Sequence, residues 1–229
     1  MDPIAFQFGK LTVHWYGVMI ALGFIAGLWT ASRRAPRAGI HPERVFDLGP
    51  WLIGGAIVGA RLLYVVMYWR EDFAKDPFPE VFMIQRGGLV YYGGLIGAVV
   101  TGIAYLRWKR ISLWAMADVM APSIALGHFF GRLGCLFNGC CYGSACSLPW
   151  AIHFPYGHNT YPLGVHPTQV YEALLNLGFY AFLAWLFRRR KFDGQIFALY
   201  LIGYAFLRSF VELFRGDYPA RQLVLGVLT

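Results

Sequence analysis

Apolar runs of about 20 residues recur along the whole chain, and this feature decides most of what it can fold into. We read them at about 14–31, 46–68, 88–106, 113–131, 167–187 and 194–214. Each has the length an α-helix needs to cross the hydrocarbon core of a bilayer. In lipid every backbone N–H and C=O must find a partner inside the protein, which leaves helices and closed barrels as spanning structures. The runs are continuous rather than alternating, so helices are expected. The fold class is therefore an all-α, polytopic transmembrane bundle of six to seven spans, one integral membrane domain over residues 1–229. Outer loops are expected at about 70–87 and 132–166. Composition agrees: 58% of residues are hydrophobic and 14% charged, against about a quarter charged in soluble domains.

The net charge of +8 would suit nucleic acid if the basic residues formed one face. They sit instead in short clusters between apolar runs: Arg33, Arg34 and Arg37, then Arg107, Lys109 and Arg110, then Arg188 to Lys191. No nucleic-acid partner is expected. Clusters after the first, third and fifth runs fall on one side of the membrane, and the positive-inside rule makes that side cytoplasmic, with the N-terminus outside. No cleavable signal pattern precedes the first run. From Arg221 the chain turns apolar again, as the start of a seventh helix or a short outer tail. Four small-residue pairs, Gly23/Gly27, Gly55/Gly59, Gly93/Gly97 and Gly127/Gly131, have the four-residue spacing of close helix contact.

Arg61, Asp118, Arg132, Glu172, Arg208 and Glu212 fall within or at the ends of apolar segments. A charge at the bilayer centre costs about 3 kcal/mol on insertion scales, so such residues face a protein interior or a water-filled cavity. They could pair with one another to hold the bundle together. For three arginines a shared anion site is the better reading, since the guanidinium fork matches phosphate and stays charged when desolvated. Within a bilayer that anion is a lipid headgroup, which points to chemistry on a phospholipid. A transporter or channel would also carry intramembrane charges, but the chain has no internal repeat.

Two glycine clusters stand out: Gly131-Arg132-Leu133-Gly134-Cys135-Leu136-Phe137-Asn138-Gly139-Cys140-Cys141-Tyr142-Gly143, and Gly87-Gly88-Leu89-Val90-Tyr91-Tyr92-Gly93-Gly94. Glycine at this density predicts irregular backbone approaching a ligand. With His14-Trp15-Tyr16-Gly17, Gly59-Ala60-Arg61, Asp118 and Pro122, His166-Pro167-Thr168-Gln169-Val170-Tyr171-Glu172 and Arg208-Ser209-Phe210-Val211-Glu212, these clusters resemble the prolipoprotein diacylglyceryl transferase family over nearly the full chain.

That resemblance implies transfer of the diacylglyceryl group of phosphatidylglycerol to the lipobox cysteine of a prolipoprotein signal peptide. The setting it implies is a bacterial cytoplasmic (inner) membrane, with the site toward the outer leaflet. It implies essential arginines at Arg132 and Arg208, and signature positions at Tyr16, Asn138 and Gly143. The chain departs from the usual pattern at Tyr92, where many members have histidine, and at Cys135 and Cys140, where they have asparagine and glutamate. These departures keep open a diverged lipid-binding relative without transfer activity.

The catalytic candidates are thus Arg132, Arg208 and Tyr92. Candidates for substrate binding are Tyr16, Arg61, Asn138, Gly143, His128, His166, Glu172 and Glu212. The attacking thiol needs activation, for which Tyr92, His128, His166 or the arginine field alone remain alternatives. The spacing of Cys135, Cys140, Cys141 and Cys146 is not a usual zinc pattern. At least one disulfide is expected if their loop faces an oxidising compartment, and neither metal nor cofactor is expected.

Overall fold

The computed structural model describes residues 3–9, 11–73, 80–84 and 87–216. The chain opens with a β-hairpin, β1 (Ile4–Phe8) against β2 (Leu11–His14). Gly9, at φ 60°, supplies its turn. Six long helices follow among the described residues: α1 (Trp15–Arg34), α2 (Pro42–Met67), α3 (Tyr91–Trp108), α4 (Leu113–Asn138), α5 (Thr168–Phe187) and α6 (Gln195–Glu212). A second two-stranded sheet, β3 (Ile152–His153) with β4 (Gly164–Val165), lies between α4 and α5.

The all-α membrane class holds. Among the described residues four segments are long and apolar enough to cross a bilayer: Trp15–Ala38, Pro42–Met67, Leu113–Asn138 and Thr168–Phe187. The helices α3 and α6, with 18 residues each, reach about 27 Å, just short of a hydrocarbon core of about 30 Å. Large apolar side chains such as Ile25, Val58, Val66, Ile96, Leu174 and Phe206 are exposed along the helices, as lipid contact allows. The tail from Arg221, expected as a helix start or an outer tail, lies outside the described residues, as does part of the 70–87 loop.

Two compact units make up the chain, residues 1–31 with 117–229, and residues 32–116. In the second unit α2 and α3 meet backbone to backbone. A Cβ added to Gly59 would stand 2.8 Å from Gly97 Cα, and one on Gly97 would stand 2.9 Å from Gly59 Cα. Here the glycine spacing serves packing. In the first unit α1 approaches α4 in the same way: a Cβ on Gly23 would lie 3.5 Å from Gly127 Cα. Ser123 Oγ donates to Gly27 O at 2.7 Å and lies 3.0 Å from Thr30 Oγ1.

Candidate functional site

The glycine–arginine motif is helical where irregular backbone was expected. The helix α4 runs on to Asn138, because Arg132, Leu133, Cys135, Leu136 and Phe137 between the glycines all tolerate helix. The break comes at Gly139, at φ 71°, followed by Cys141 at φ 65°. A non-glycine residue in the left-handed region is uncommon and is kept where the surroundings determine it. Those surroundings are identifiable. Gln169 Nε2 donates to Cys140 O at 2.8 Å, Thr168 Oγ1 to Cys141 O at 2.7 Å, and His158 Nε2 lies 2.8 Å from Gly139 O. Three successive carbonyls are thus tied down by the start of α5 and by the segment between β3 and β4. Thr168, Gln169 and His158 were not singled out from sequence as site residues. The polar pair opening an apolar helix was the available signal for the first two, and His158 offered none.

Arg132 projects from α4 and forms an ion pair with Glu172 of α5, Nε to Oε1 at 3.0 Å. Glu172 is 2% exposed, so a buried carboxylate holds this guanidinium in place. Arg208 pairs with Glu212 one turn along α6. Tyr16, in the first turn of α1, lies within Coulombic range of Arg132, Cys135, Cys140 and Cys141. It lines a cavity of about 580 Å³ with Val13, His14, Gly17, Cys135, Asn138, Cys140 and Cys141. Gly134 leaves room for Tyr16, whose Cδ2 would stand 3.1 Å from a Cβ at that position.

Gly143 is a close-approach glycine, since a Cβ there would meet His166 Cβ at 2.5 Å and Phe214 O at 2.6 Å. It bridges to Arg215 and donates its N–H to His166 O at 2.9 Å. The His166 ring faces Tyr171, with Nδ1 3.3 Å from the hydroxyl. His128 stands against the ring of Tyr204 at 4.7 Å. All of these residues belong to the first compact unit.

The four cysteines are free thiols, against the expected disulfide. Three of them, Cys135, Cys140 and Cys141, converge with their sulfurs within 4.8 Å of one another. The turn at Gly139 folds Cys140 and Cys141 back on the last turn of α4, so they gather as a trio rather than a bonded pair. Hydrogen bonds from the neighbouring Cys135 and Cys141 thiols hold the pKa of the Cys140 thiol well below its usual range.

Arg61 and Tyr92 lie in the second unit. Arg61 donates to the carbonyls of Glu80, Val81, Gly87 and Gly88 at 2.5, 2.8, 2.9 and 3.1 Å, and its guanidinium lies 5.4 Å from the centres of the Tyr64 and Phe73 rings. Its donors are engaged by backbone carbonyls. Tyr92 is 69% exposed beside the Tyr91 ring. Asp118, fully buried, accepts from Gly194 N and Phe197 N at 2.9 Å each and pairs with Arg190 at 3.3 Å. It therefore caps the N-terminus of α6 and belongs to the scaffold.

The sequence model of prolipoprotein diacylglyceryl transferases matches residues 3–229. The chain belongs to that family. Relatives include the phosphatidylglycerol–prolipoprotein diacylglyceryl transferases of Thermosynechococcus vestitus, 36% identical over 97% of this chain and 83% of its own, and of Nitratidesulfovibrio vulgaris, 37% identical over 100% and 86%. That of Bacillus licheniformis is 39% identical over 95% and 82%. For a diacylglyceryl transferase family member, the cavity beside Tyr16, with the Arg132–Glu172 pair in the same unit, is the natural candidate site.

Proposed function

We propose that this protein transfers the diacylglyceryl group of phosphatidylglycerol to the lipobox cysteine thiol of prolipoproteins and releases glycerol phosphate. The observation that carries this reading is Arg132, held by the buried carboxylate of Glu172 in Coulombic range of the cavity residue Tyr16, in a chain that matches the family from end to end. The departing phosphate gains charge as its bond to glyceryl carbon breaks, and fixed cations stabilise such charge strongly when they need not reorganise. In our reading Arg132 and Arg208 receive the phosphate, oriented by Glu172 and Glu212. Tyr16 and Asn138 supply neutral hydrogen bonds, and Gly143 with His166 shapes the outer wall. The site faces the outer leaflet of the bacterial cytoplasmic membrane, where secreted signal peptides emerge. Tyr92 and His128 stand as alternative groups for deprotonating the thiol. Unchanged turnover in Tyr92→Phe removes the first.

The test is transfer in detergent or vesicles from labelled phosphatidylglycerol to a lipobox peptide. A thioether-linked product that falls by about 100-fold or more in Arg132→Ala and Arg208→Ala is expected. Phosphatidylglycerol binding without any product would show instead a lipid-binding relative that has lost the chemistry.

A further inference from the structure

Among the described residues, the trio of thiols is the one cluster of strong ligands that the proposed transfer leaves without a part. Its members come from a helix and a turn. Cys135 occupies the last full turn of α4, and the left-handed residues Gly139 and Cys141 swing Cys140 and Cys141 back beside it. Spacing in the chain hides this, because zinc-binding loops bring together cysteines two to four residues apart, whereas here a reversal of direction does so. The sulfurs all lie within 4.8 Å of one another. Two thiolates on one Zn²⁺ stand about 3.8 Å apart, given Zn–S bonds of about 2.3 Å in tetrahedral geometry. Closing onto an ion thus asks for side-chain movement of about an ångström.

Two further observations favour a cation here. The cluster sits at the C-terminus of a 26-residue helix, the negative end of the helix dipole. That end repels bare thiolates and welcomes a positive ion among them. The turn is also held rigidly, through the carbonyls of Gly139, Cys140 and Cys141, so the ligand set is largely formed in advance. Among the described residues the ligand group numbers three. All three line the cavity that also contains Tyr16 and Asn138. Structural zinc sites are closed by a fourth protein ligand, whereas catalytic ones leave that position to water or substrate.

We propose that Cys135, Cys140 and Cys141 hold a thiophilic divalent cation of the Zn²⁺ class, with its fourth position open to the cavity, where the thiol of the acceptor peptide binds. The second half of this proposal rests on the transfer reading above. A thiol bound to such an ion is deprotonated outright. The acceptor sulfur releases its proton to solvent as it binds, then forms the new S–C bond to the glyceryl carbon. The C–O bond to phosphate breaks, its electron pair stays on the phosphate oxygen, and no oxidant or reductant takes part. The ion thereby does the work of a general base, at a site where this chain carries Cys135 and Cys140.

Reduced, full-length protein in detergent, freed of metal with a chelator and titrated with Co²⁺, is expected to show a sulfur-to-cobalt charge-transfer band. The band is lost in Cys140→Ala and kept in Cys146→Ala. Transfer to the lipobox peptide is expected to fall about 30-fold in metal-free protein at pH 7, since a free thiol of pKa about 8.5 is then only about 3% ionised. Added Zn²⁺ restores the rate. Absence of the band, or a disulfide within the trio in protein whose thiols were trapped on isolation, overturns the site. A band with full transfer by metal-free protein overturns the role given to the ion. A band with no transfer by any preparation overturns the transfer reading and leaves the metal site standing.

Discussion

Arg61 and Arg132 are the same residue in similarly apolar company, yet their guanidinium groups have different partners. Arg61 spends its donors on the carbonyls of residues 80–88, and Arg132 takes a buried carboxylate. Removing Glu172 alone strands a half-buried cation. Glu172→Ala is therefore expected to lower stability by about 3–5 kcal/mol, and adding Arg132→Ala should recover part of that loss. Thermal unfolding of both variants in one detergent measures it. For Arg61→Met the expected loss is about 3 kcal/mol or more, because charge-assisted bonds to carbonyls go unreplaced. Limited proteolysis should then cut the 80–88 segment faster. The sequence shows which residues are too polar for their segments, and it led to Arg132, Glu172 and Arg208. It does not show which arginine meets carboxylate and which meets backbone, because the partners of Arg61 lie 19 to 27 residues away in a stretch with no periodic pattern.

Element boundaries follow the same division. The apolar runs marked the helices well, since hydrophobic length is what a spanning helix requires. They stopped α4 too early, at 131, where it runs to Asn138. Glycine was read there as a breaker, although helices packed in membranes carry it freely at contacts. The hairpin before α1 went unread because its strands are only five and four residues long, although they alternate. The close pairing of α2 and α3 gives a clean test. Gly59→Leu, which would place a side chain against Gly97 Cα, is expected to cost about 1–3 kcal/mol or more. Gly54→Ala in the same helix meets nothing within 4 Å, and should stabilise by about 0.5–1 kcal/mol from helix propensity. Thermal shift of the two side by side separates packing from propensity.

For the molecule in its membrane, the basic clusters predict sidedness. In intact spheroplasts a membrane-impermeant maleimide should add label to Tyr156→Cys, a position 89% exposed, above the signal of the native thiols. Lys191→Cys, also exposed, should gain label only after permeabilisation, and the opposite pattern would invert the topology. The glycine contact between α2 and α3 also bears on how the chain assembles. Glycine has no side-chain rotamers to lose, so joining two backbones there is opposed by little conformational entropy. Both helices lie in one contiguous stretch, residues 32–116, and domains tend to fold as they are synthesised. The α2–α3 pair can then complete itself while the ribosome is still making α4. The first helix has no such advantage: α1 leads the chain into the membrane, yet its partner surface at residues 123–130 arrives about a hundred residues later. It must wait in lipid, unpaired, until the middle of the protein has already settled.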